Sequence, residues 1–325
     1  MAVKTKKKRH KKSHPVADYI FYLAVRLLAV FIQLVEVNTS LRMARWLGRG
    51  LYAIYSRGRQ RALENLRHSF PEKDPAWHER TARRSFEHLV MFVFDVLYVP
   101  RLVRQSNWRH CIKLGDISQV VRLLLNGRPV IMVGAHYGNF LICSCAMDIF
   151  GVHTFNIARP IDNPYLSRYV YGKLLRGDTI IYKKGATQLM DRVLTNGNIL
   201  GVVGDQNGSR KDIFVDFFGR KAATYKSIAL MAMQYDAPIV VGCARRIGDS
   251  FRFELDTSCV ITPDEWRDRS DPLYWITAQW TAALEQLVRQ DPEQYWWIHR
   301  RWKTRPPDER KANPLPSTTL HSPGR

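Results

Sequence analysis

The chain has 325 residues, of which 50 are Lys or Arg and 29 are Asp or Glu, so its formal net charge is +21 at pH 7. A hydrophobic content of 46% excludes a disordered chain, and five cysteines in this length exclude a disulfide scaffold. The excess positive charge indicates an anionic partner, which is nucleic acid, acidic lipid or an acidic protein.

The N-terminus joins a basic run to an apolar segment. Residues 1–15 contain seven Lys or Arg and no acidic residue, and residues 19–35 are apolar apart from Arg26 and Gln33. Basic residues beside an apolar helix attract anionic lipid and hold that flank in the cytoplasm. We expect a membrane-anchoring helix over residues 16–37, which either crosses the bilayer or lies in its interface with Arg26 reaching toward water. A buried core helix is the alternative.

An arginine-rich stretch follows at residues 41–68. Its apolar residues, such as Leu47, Leu51 and Ile54, recur at helical spacing. This pattern predicts a basic amphipathic surface that lies on the bilayer, and a solvated helical face is the alternative. Residues 77–99 predict a long helix with an apolar second half.

Beyond this helix, short apolar runs alternate with helical patterns, which predicts an α/β domain with a mainly parallel or mixed central sheet flanked by helices. We place this domain at residues 38–304 and a disordered tail at 305–325. The predicted strands are at 129–134, 154–157, 179–182, 198–204, 238–243 and 251–256. The predicted helices are near 138–149, 164–175, 186–196 and 223–236, and at 272–290 and 292–300.

Polar residues follow two of these strands. His136 lies in the sequence GAHYGNF, just after one predicted strand, and Asp205 lies in GDQN, just after another. The carboxyl ends of parallel strands meet at one edge of a sheet, so Asp205 can face His136 there. A structural histidine and a turn-capping aspartate are the alternatives. The sequence contains no P-loop, GxGxxG, GxSxG or HExxH motif, which weakens phosphoryl transfer, dinucleotide chemistry, serine hydrolysis and zinc proteolysis.

Two further segments are candidates for binding. Arg159, in RPIDNP, can bind a phosphate or carboxylate with two hydrogen bonds, unless it is an ordinary surface arginine. The segment PEQYWWIHRRWKTR at 292–305 combines aromatic and basic residues. Such a cluster fits single-stranded nucleic acid or a membrane interface, and the N-terminal helix favours the membrane.

In their order and spacing, these segments resemble the lipid A biosynthesis (lauroyl/myristoyl) acyltransferase family of bacteria, within the lysophospholipid acyltransferase-like superfamily. The resemblance runs from about residue 16 to 306 and implies a glycerophosphate-acyltransferase-like α/β fold. The segments that carry it are Glu64-Asn65-Leu66, Phe70-Pro71, GAHYGNF at 134–140, RPIDNP at 159–164, GDQN at 204–207, VDFFG at 215–219 and PEQYWWIHRRWKTRP at 292–306.

The resemblance implies an enzyme on the cytoplasmic face of the inner membrane. It would move an acyl chain from acyl carrier protein or acyl-CoA to a hydroxyl of a glycolipid acceptor, with neither a metal nor an organic cofactor. Anionic membrane lipid is a further expected partner, and nucleic acid is disfavoured. We expect Gly138, Arg159, Gln206, Arg300 and Arg301 to contact substrate.

The family motif is His, four residues, then Asp or Glu, with the histidine as general base and the carboxylate as its orienting group. His136 matches the histidine, but Leu141 stands at the carboxylate position. Three interpretations follow. Asp205 substitutes for the missing carboxylate, Asn139 or a backbone carbonyl orients His136, or the protein is an impaired family member that binds membrane lipid or nucleic acid.

Overall fold

The computed structural model describes residues 14–174, 179–182, 186–307 and 309. The predicted basic flank therefore lies almost entirely outside the described residues, as does most of the predicted tail. Near the start of that tail, Arg305 is held in place, because its Nη1 donates to the carbonyl of Lys221 at 2.9 Å.

Four helices come first, and the first of them corresponds to the predicted anchoring helix. Within the described residues it is the one helix that is long and apolar enough to cross a membrane. The long helix predicted at 77–99 is confirmed inside the fourth. The helices are α1 (Pro15–Leu34), α2 (Val37–Ile54), α3 (Ser56–Ser69) and α4 (Pro75–Leu102).

Local sequence explains where these helices begin and how two of them pack. The Glu36 carboxylate accepts from the amides of Asn38 and Thr39 at 2.9 and 2.8 Å, which caps α2. Gly48 lies in the contact between α2 and α4, where a Cβ would stand 2.5 Å from the Cα of Glu87. A larger residue at this position would therefore push the two helices apart.

The centre of the molecule is a seven-stranded sheet. Its strands are β1 (Ile112–Leu114), β2 (Val130–Gly134), β3 (Thr154–Ala158), β4 (Thr179–Tyr182), β5 (Ile199–Val203), β8 (Ile239–Arg246) and β9 (Phe253–Ile261). They lie in the order β1-β9-β8-β2-β5-β3-β4. All neighbouring strands are parallel except β8 and β9, so the predicted mixed sheet flanked by helices is confirmed. A separate antiparallel hairpin consists of β6 (Ile213–Phe217) and β7 (Arg220–Thr224).

Helices cover the two faces of the sheet unequally. The remaining helices are α5 (Ser118–Leu125), α6 (Phe140–Ile149), α7 (Pro164–Tyr169), which continues as a π-helix over Val170–Leu174, α8 (Ala186–Thr195), α9 (Ser227–Gln234), α10 (Pro263–Trp266) and α11 (Pro272–Gln290). On one face of the sheet, Trp280 and Leu284 of α11 pack into the main core with Val133 and Leu200 of the sheet. On the other face lies an apolar cavity of about 650 Å³, bordered by residues of α5 and α6.

Three glycines help to form the floor of this cavity. Gly242, Gly134 and Gly201 lie on the neighbouring strands β8, β2 and β5 and all line it. A Cβ on Gly201 would stand 2.0 Å from the Asn156 side-chain oxygen, and one on Gly242 would stand 2.8 Å from a backbone oxygen of β9. A side chain at Gly201 or Gly242 would therefore clash with the neighbouring strand.

The predicted helix at 292–300 is wrong. Only a short 3₁₀ turn at Pro292–Gln294 forms there. Tyr295 then pairs with Tyr137, and the chain continues through turns. Trp297 and Trp302 are buried, so this segment belongs to the core. Strand β1, helix α5 and the β6–β7 hairpin were not predicted from the sequence.

Candidate active site

Strand register brings His136 and Asp205 together. Strands β2 and β5 are parallel neighbours, and their last residues, Gly134 and Val203, are paired. The amide of Gly204 donates to the carbonyl of Gly134 at 2.9 Å, which keeps the two chains together just past the strands. His136 and Asp205 each follow a strand end by two residues, so both reach the same edge of the sheet.

The turn that carries His136 requires glycine at one position. Gly138 has a φ of 57°, and a Cβ there would stand 2.2 Å from the carbonyl oxygen of Ala244. Its amide donates to the carbonyl of Gln294 at 3.2 Å. The backbone conformation and the close packing therefore require glycine at position 138, and the Gly138 amide already donates a hydrogen bond within the protein.

The central contact of the site is a two-point hydrogen bond between His136 and Asp205. The Nδ1 of His136 lies 2.7 Å from Oδ1 of Asp205, and the His136 amide donates to Oδ2 at 3.1 Å. Burial would raise the pKa of Asp205, but the charge and hydrogen bonds of His136 outweigh it and lower the pKa to about 2. An ionised carboxylate only accepts hydrogen bonds, so this network assigns the ring proton to Nδ1.

The other ring nitrogen of His136 lies beside the exposed side chain of Gln206. The Gln206 amide nitrogen lies 3.4 Å from His136 Nε2. The rings of Phe140 and Trp296 have their centres 5.2 and 4.9 Å from the imidazole. Aromatic groups therefore border the ring, and Nε2 remains available as a proton acceptor beside an exposed side chain.

His299 is a neighbour of His136 that the sequence reasoning missed as a site residue. The centres of the two imidazole rings are 4.6 Å apart. Burial, and then the nearby His136, lower the pKa of His299 to about 4, against a smaller opposing effect of Asp205. One ligand atom each from His136, Asp205 and His299 all lie within 4.8 Å of one another, a set from which a metal ion can take three ligands. In the structure, the Asp205 carboxylate accepts a hydrogen bond from His136.

The C-terminal segment packs against the turn that carries His136. The Trp296 amide donates to the carbonyl of His136 at 3.1 Å, and Tyr137 and Tyr295 form an isolated antiparallel bridge. Tyr295 and Trp297 are buried. The prediction that this aromatic cluster meets a membrane or nucleic acid is therefore wrong for its buried members, because they pack against the site from within the core.

Asn139 does not orient His136. It caps α6, with its side-chain oxygen accepting from the amides of Leu141 and Ile142 at 3.2 and 3.3 Å. Its side-chain nitrogen donates to Oδ2 of buried Asp95 at 2.9 Å, and Asp95 also pairs with Arg246. All of these bonds hold the start of α6.

The predicted substrate-binding arginines fall into two groups. Arg301 is buried, and its guanidinium donates to the carbonyls of Gln206 and Ala223 at 3.2 and 2.7 Å, so the prediction that it meets an anionic headgroup is wrong. Arg300 is exposed. Arg159 is also exposed, follows β3 at the same edge of the sheet and makes an ion pair with Asp162 at 3.3 Å.

The apolar cavity reaches the site directly. Ala135 and Tyr137, the residues on either side of His136, both line it, as do Phe140 and Leu141. A carboxylate in place of Leu141 would border this apolar space, where burial disfavours a charge. A histidine held by a buried carboxylate beside such a cavity is suited to general base catalysis on a lipid substrate.

The arrangement is that of a candidate enzyme site, and sequence comparison gives the family and the enzyme class. The chain belongs to the bacterial lipid A biosynthesis acyltransferase family, whose model matches residues 5–304, and it is an acyltransferase. It is similar to the lipid A biosynthesis lauroyltransferase of Escherichia coli (strain K12), with 25% identity over 297 residues, which cover 89% of this chain and 92% of that protein.

Two more similarities concern another curated protein and a solved structure. The lipid A biosynthesis palmitoleoyltransferase of Escherichia coli (strain K12) is 24% identical over 253 residues, which cover 76% of this chain and 79% of that protein. The 1-acyl-sn-glycerophosphate acyltransferase PlsC of Thermotoga maritima is 14% identical, covering 78% of this chain and 95% of that chain, with a TM-score of 0.36. That score is too low to assign a role to any residue.

Proposed function

We propose that this acyltransferase moves a fatty acyl chain from an acyl thioester to a hydroxyl of a lipid A-like glycolipid. In this proposal, His136 is the general base and Asp205 replaces the carboxylate that the family motif places at position 141. The hydrogen bond of 2.7 Å between Asp205 Oδ1 and His136 Nδ1 carries the proposal. It supplies the orienting group that the sequence lacks at Leu141.

The path of the proton follows from the hydrogen bond between Asp205 and His136. Asp205 holds the proton on Nδ1, so Nε2 of His136 accepts the proton of the acceptor hydroxyl. The low pKa of Asp205 keeps its carboxylate charged at neutral pH, where it stabilises the imidazolium that forms. The hydroxyl oxygen bonds to the thioester carbonyl carbon, the carbon–sulfur bond breaks, and His136 returns the proton to the departing thiolate.

The apolar cavity is the proposed site of the acyl chain. Its volume of about 650 Å³ is within the usual range for small-molecule pockets, roughly 300–1,000 Å³. Leu141 belongs to its wall, so the substitution that removes the motif carboxylate also adds apolar surface for the chain. The exposed Arg159, Gln206 and Arg300 are the proposed contacts for anionic or polar groups of the two substrates.

The donor and the location are further parts of the proposal. The net charge of +21 favours an acyl donor with an anionic carrier, which is an acidic carrier protein or the phosphates of coenzyme A. It also favours a membrane surface that contains anionic lipid. Most side chains of α1 are exposed and apolar, and Trp46 of α2 is 69% exposed. We place the enzyme on the cytoplasmic face of the inner membrane.

His136→Ala should abolish acyl transfer in membranes supplied with acyl thioester, because general base catalysis contributes about 10²–10⁴ in rate and no other described group holds the same position. The measurement is thioester consumption together with analysis of the lipid product. His153→Ala, which changes an exposed histidine away from the site, is the matched control and should keep full activity. Unchanged turnover in His136→Ala would overturn the proposal.

Leu141→Glu distinguishes this enzyme from the impaired lipid-binding family member that the missing motif carboxylate suggests. Asp205 already occupies His136 Nδ1, and a new carboxylate would border the apolar cavity. We therefore expect lower transfer activity, measured as initial rate, with Leu141→Met as the volume-matched control. A rise in activity would show that Asp205 does not perform the orienting role.

A further inference from the structure

Helix α1 is attached to the rest of the protein at both of its ends. Near its start, the Asn163 side chain donates to the carbonyl of Asp18 at 2.8 Å. Near its end, the Gln33 side chain donates to the carbonyl of Leu97 at 2.6 Å, and the Tyr98 hydroxyl donates to the carbonyl of Val35 at 3.0 Å. The first contact is with the start of α7 and the others are with the last turns of α4.

The middle of α1 is held by an arginine among tyrosines. The Arg26 guanidinium lies 4.7 Å from the ring centre of Tyr169 and donates to the Tyr22 hydroxyl at 2.9 Å. The Tyr22 ring stacks on Tyr165 with centres 6.0 Å apart. We call Tyr22, Arg26, Tyr165 and Tyr169 the tyrosine clamp. It turns the one charged residue in the middle of α1 toward the protein.

The opposite face of α1 is apolar and exposed in the described structure. Only Ala29 of this helix is buried. Ten large apolar or aromatic residues of α1 are exposed, and Trp46 and Leu47 of α2 add to this surface. The exposed residues of α1 are Val16, Tyr19, Ile20, Phe21, Leu23, Leu27, Leu28, Val30, Phe31 and Leu34.

These contacts conflict with a helix that crosses the bilayer. A helix of 20 residues is about 30 Å long, which is the thickness of the hydrocarbon core. Since α7 and the end of α4 lie along α1, a crossing helix would bring them to the same depth. Arg168, exposed on α7 next to the residue that contacts Arg26, would then enter hydrocarbon, at about 2.5–3.5 kcal/mol near its centre.

Charge on both flanks leads to the same conclusion. Residues 1–15 hold seven Lys or Arg and no acid, and residues 41–68 hold seven Arg and one acid. Basic flanks remain on the cytoplasmic side of a membrane. A single crossing would put the two flanks on opposite sides, whereas a helix lying in the surface keeps both on one side.

We infer that α1 is an in-plane anchor: it lies along the surface of a membrane containing anionic lipid, with its apolar face inserted and its other face clamped to α7 and α4. The inference rests on the membrane attachment proposed above and specifies its geometry. Tyr169 also packs against the buried cluster of Phe92 and Val96, two residues that line the cavity. The clamp therefore joins the anchor to the wall of the proposed acyl site and keeps that wall close to the lipid surface.

Topology of the full-length protein tests the geometry. An epitope is placed before residue 1, and protease is added to inverted and to right-side-out membrane vesicles. We expect the epitope and the catalytic domain to be digested together, only in inverted vesicles. Digestion of the two from opposite sides would overturn the in-plane anchor. Protein that fails to sediment with membranes would instead contradict the proposed attachment, so the two failures are distinguishable.

The clamp has its own test by hydrogen exchange in vesicles of phosphatidylethanolamine and phosphatidylglycerol. Tyr169→Leu removes the ring beneath Arg26, and we expect the α7 amides to exchange about 2- to 30-fold faster, the range for loss of one cation–π contact. Tyr169→Phe keeps the ring and should exchange as the wild type does. Equal exchange in all three proteins would overturn the clamp.

Discussion

Helix α2 and the segment 295–302 both combine tryptophan with arginine, but the fold uses them in opposite ways. Trp46 of α2 is 69% exposed, with the Arg49 guanidinium 5.1 Å from its ring centre. Trp297 is fully buried, and the nearby Arg301 donates to backbone carbonyls inside the core. One aromatic–basic cluster thus faces outward toward a proposed lipid surface, and the other supports the candidate active site.

The difference shows that composition does not decide exposure. Arg301 is buried because the carbonyls of Gln206 and Ala223 and the Thr224 hydroxyl meet its donors. These partners are about 80 to 95 residues away in the sequence. The arginines of α2 have no comparable enclosure, although Arg45 and Arg49 pair with the buried Glu87 carboxylate.

The largest effect is expected for the proposed catalytic pair, His136 and Asp205, which the buried segment supports. Asp205→Asn keeps the shape of the side chain but removes the charge that fixes the His136 tautomer. By analogy with the serine protease triad, the loss in kcat can reach about 10⁴. Steady-state kinetics with an acyl thioester measure this loss. A loss below about 3-fold would show that Asp205 does not orient His136, and the site that the buried segment supports would then not be the catalytic one.

Replacing the two tryptophans compares the regions directly. Trp297→Ala should lower the free energy of unfolding by about 3–5 kcal/mol, because it opens a cavity in the core. Trp46→Ala should change it by no more than about 0.5 kcal/mol, because the side chain is exposed. Denaturant titration in detergent measures both values. Similar losses in the two variants would contradict the assignment of one cluster to the core and the other to the surface.

His299, which lies in the buried segment 295–302, is expected to make the free energy of unfolding depend on pH. Its pKa falls from 6.5 to about 4 in the folded protein, mainly through burial. Because the folded-state pKa is lowered, its contribution to stability is complete above pH 6.5 and is lost as the pH falls toward 4, up to about 3 kcal/mol. His299→Gln should flatten the fall in unfolding free energy over this window, whereas the exposed His153→Gln should not. An unchanged slope in His299→Gln would place His299 in solvent.

The smallest effect is expected for membrane binding by α2. Trp46→Ala should weaken partitioning into vesicles that contain anionic lipid by no more than about 10-fold, because α1 supplies most of the exposed apolar surface. Sedimentation of the full-length protein with such vesicles measures this. A loss greater than 100-fold would transfer the main anchoring role from α1 to α2.

Much of the fold could be predicted, because buried parallel strands leave continuous apolar runs in the sequence. The strand at 179–182 and the helix at 272–290 match the structure residue for residue. The sequence at 292–300 predicts a helix because its aromatic residues fit a helical pattern as well as the observed course. Its course depends on the bridge between Tyr295 and Tyr137, two residues about 160 positions apart in the sequence.

The site was predictable for the same reason that the sheet was. His136 and Asp205 follow two strand ends, and parallel pairing makes such ends neighbours. The position of His299 beside His136 could not be inferred in this way, because His299 reaches the site from a turn in the C-terminal segment. The commitment of Asn139 to Asp95 also escaped sequence reasoning, since it depends on how α4 crosses the start of α6.

The proton on His136 tests the central claim most directly. In protein labelled with ¹⁵N-histidine, the His136 signal is identified by its absence in His136→Ala. We predict that Nδ1 carries the proton and Nε2 is bare at neutral pH, and that Asp205→Asn abolishes this preference. A proton on Nε2 in the wild-type protein, or an unchanged tautomer in Asp205→Asn, would contradict the assignment of Asp205 as the orienting carboxylate.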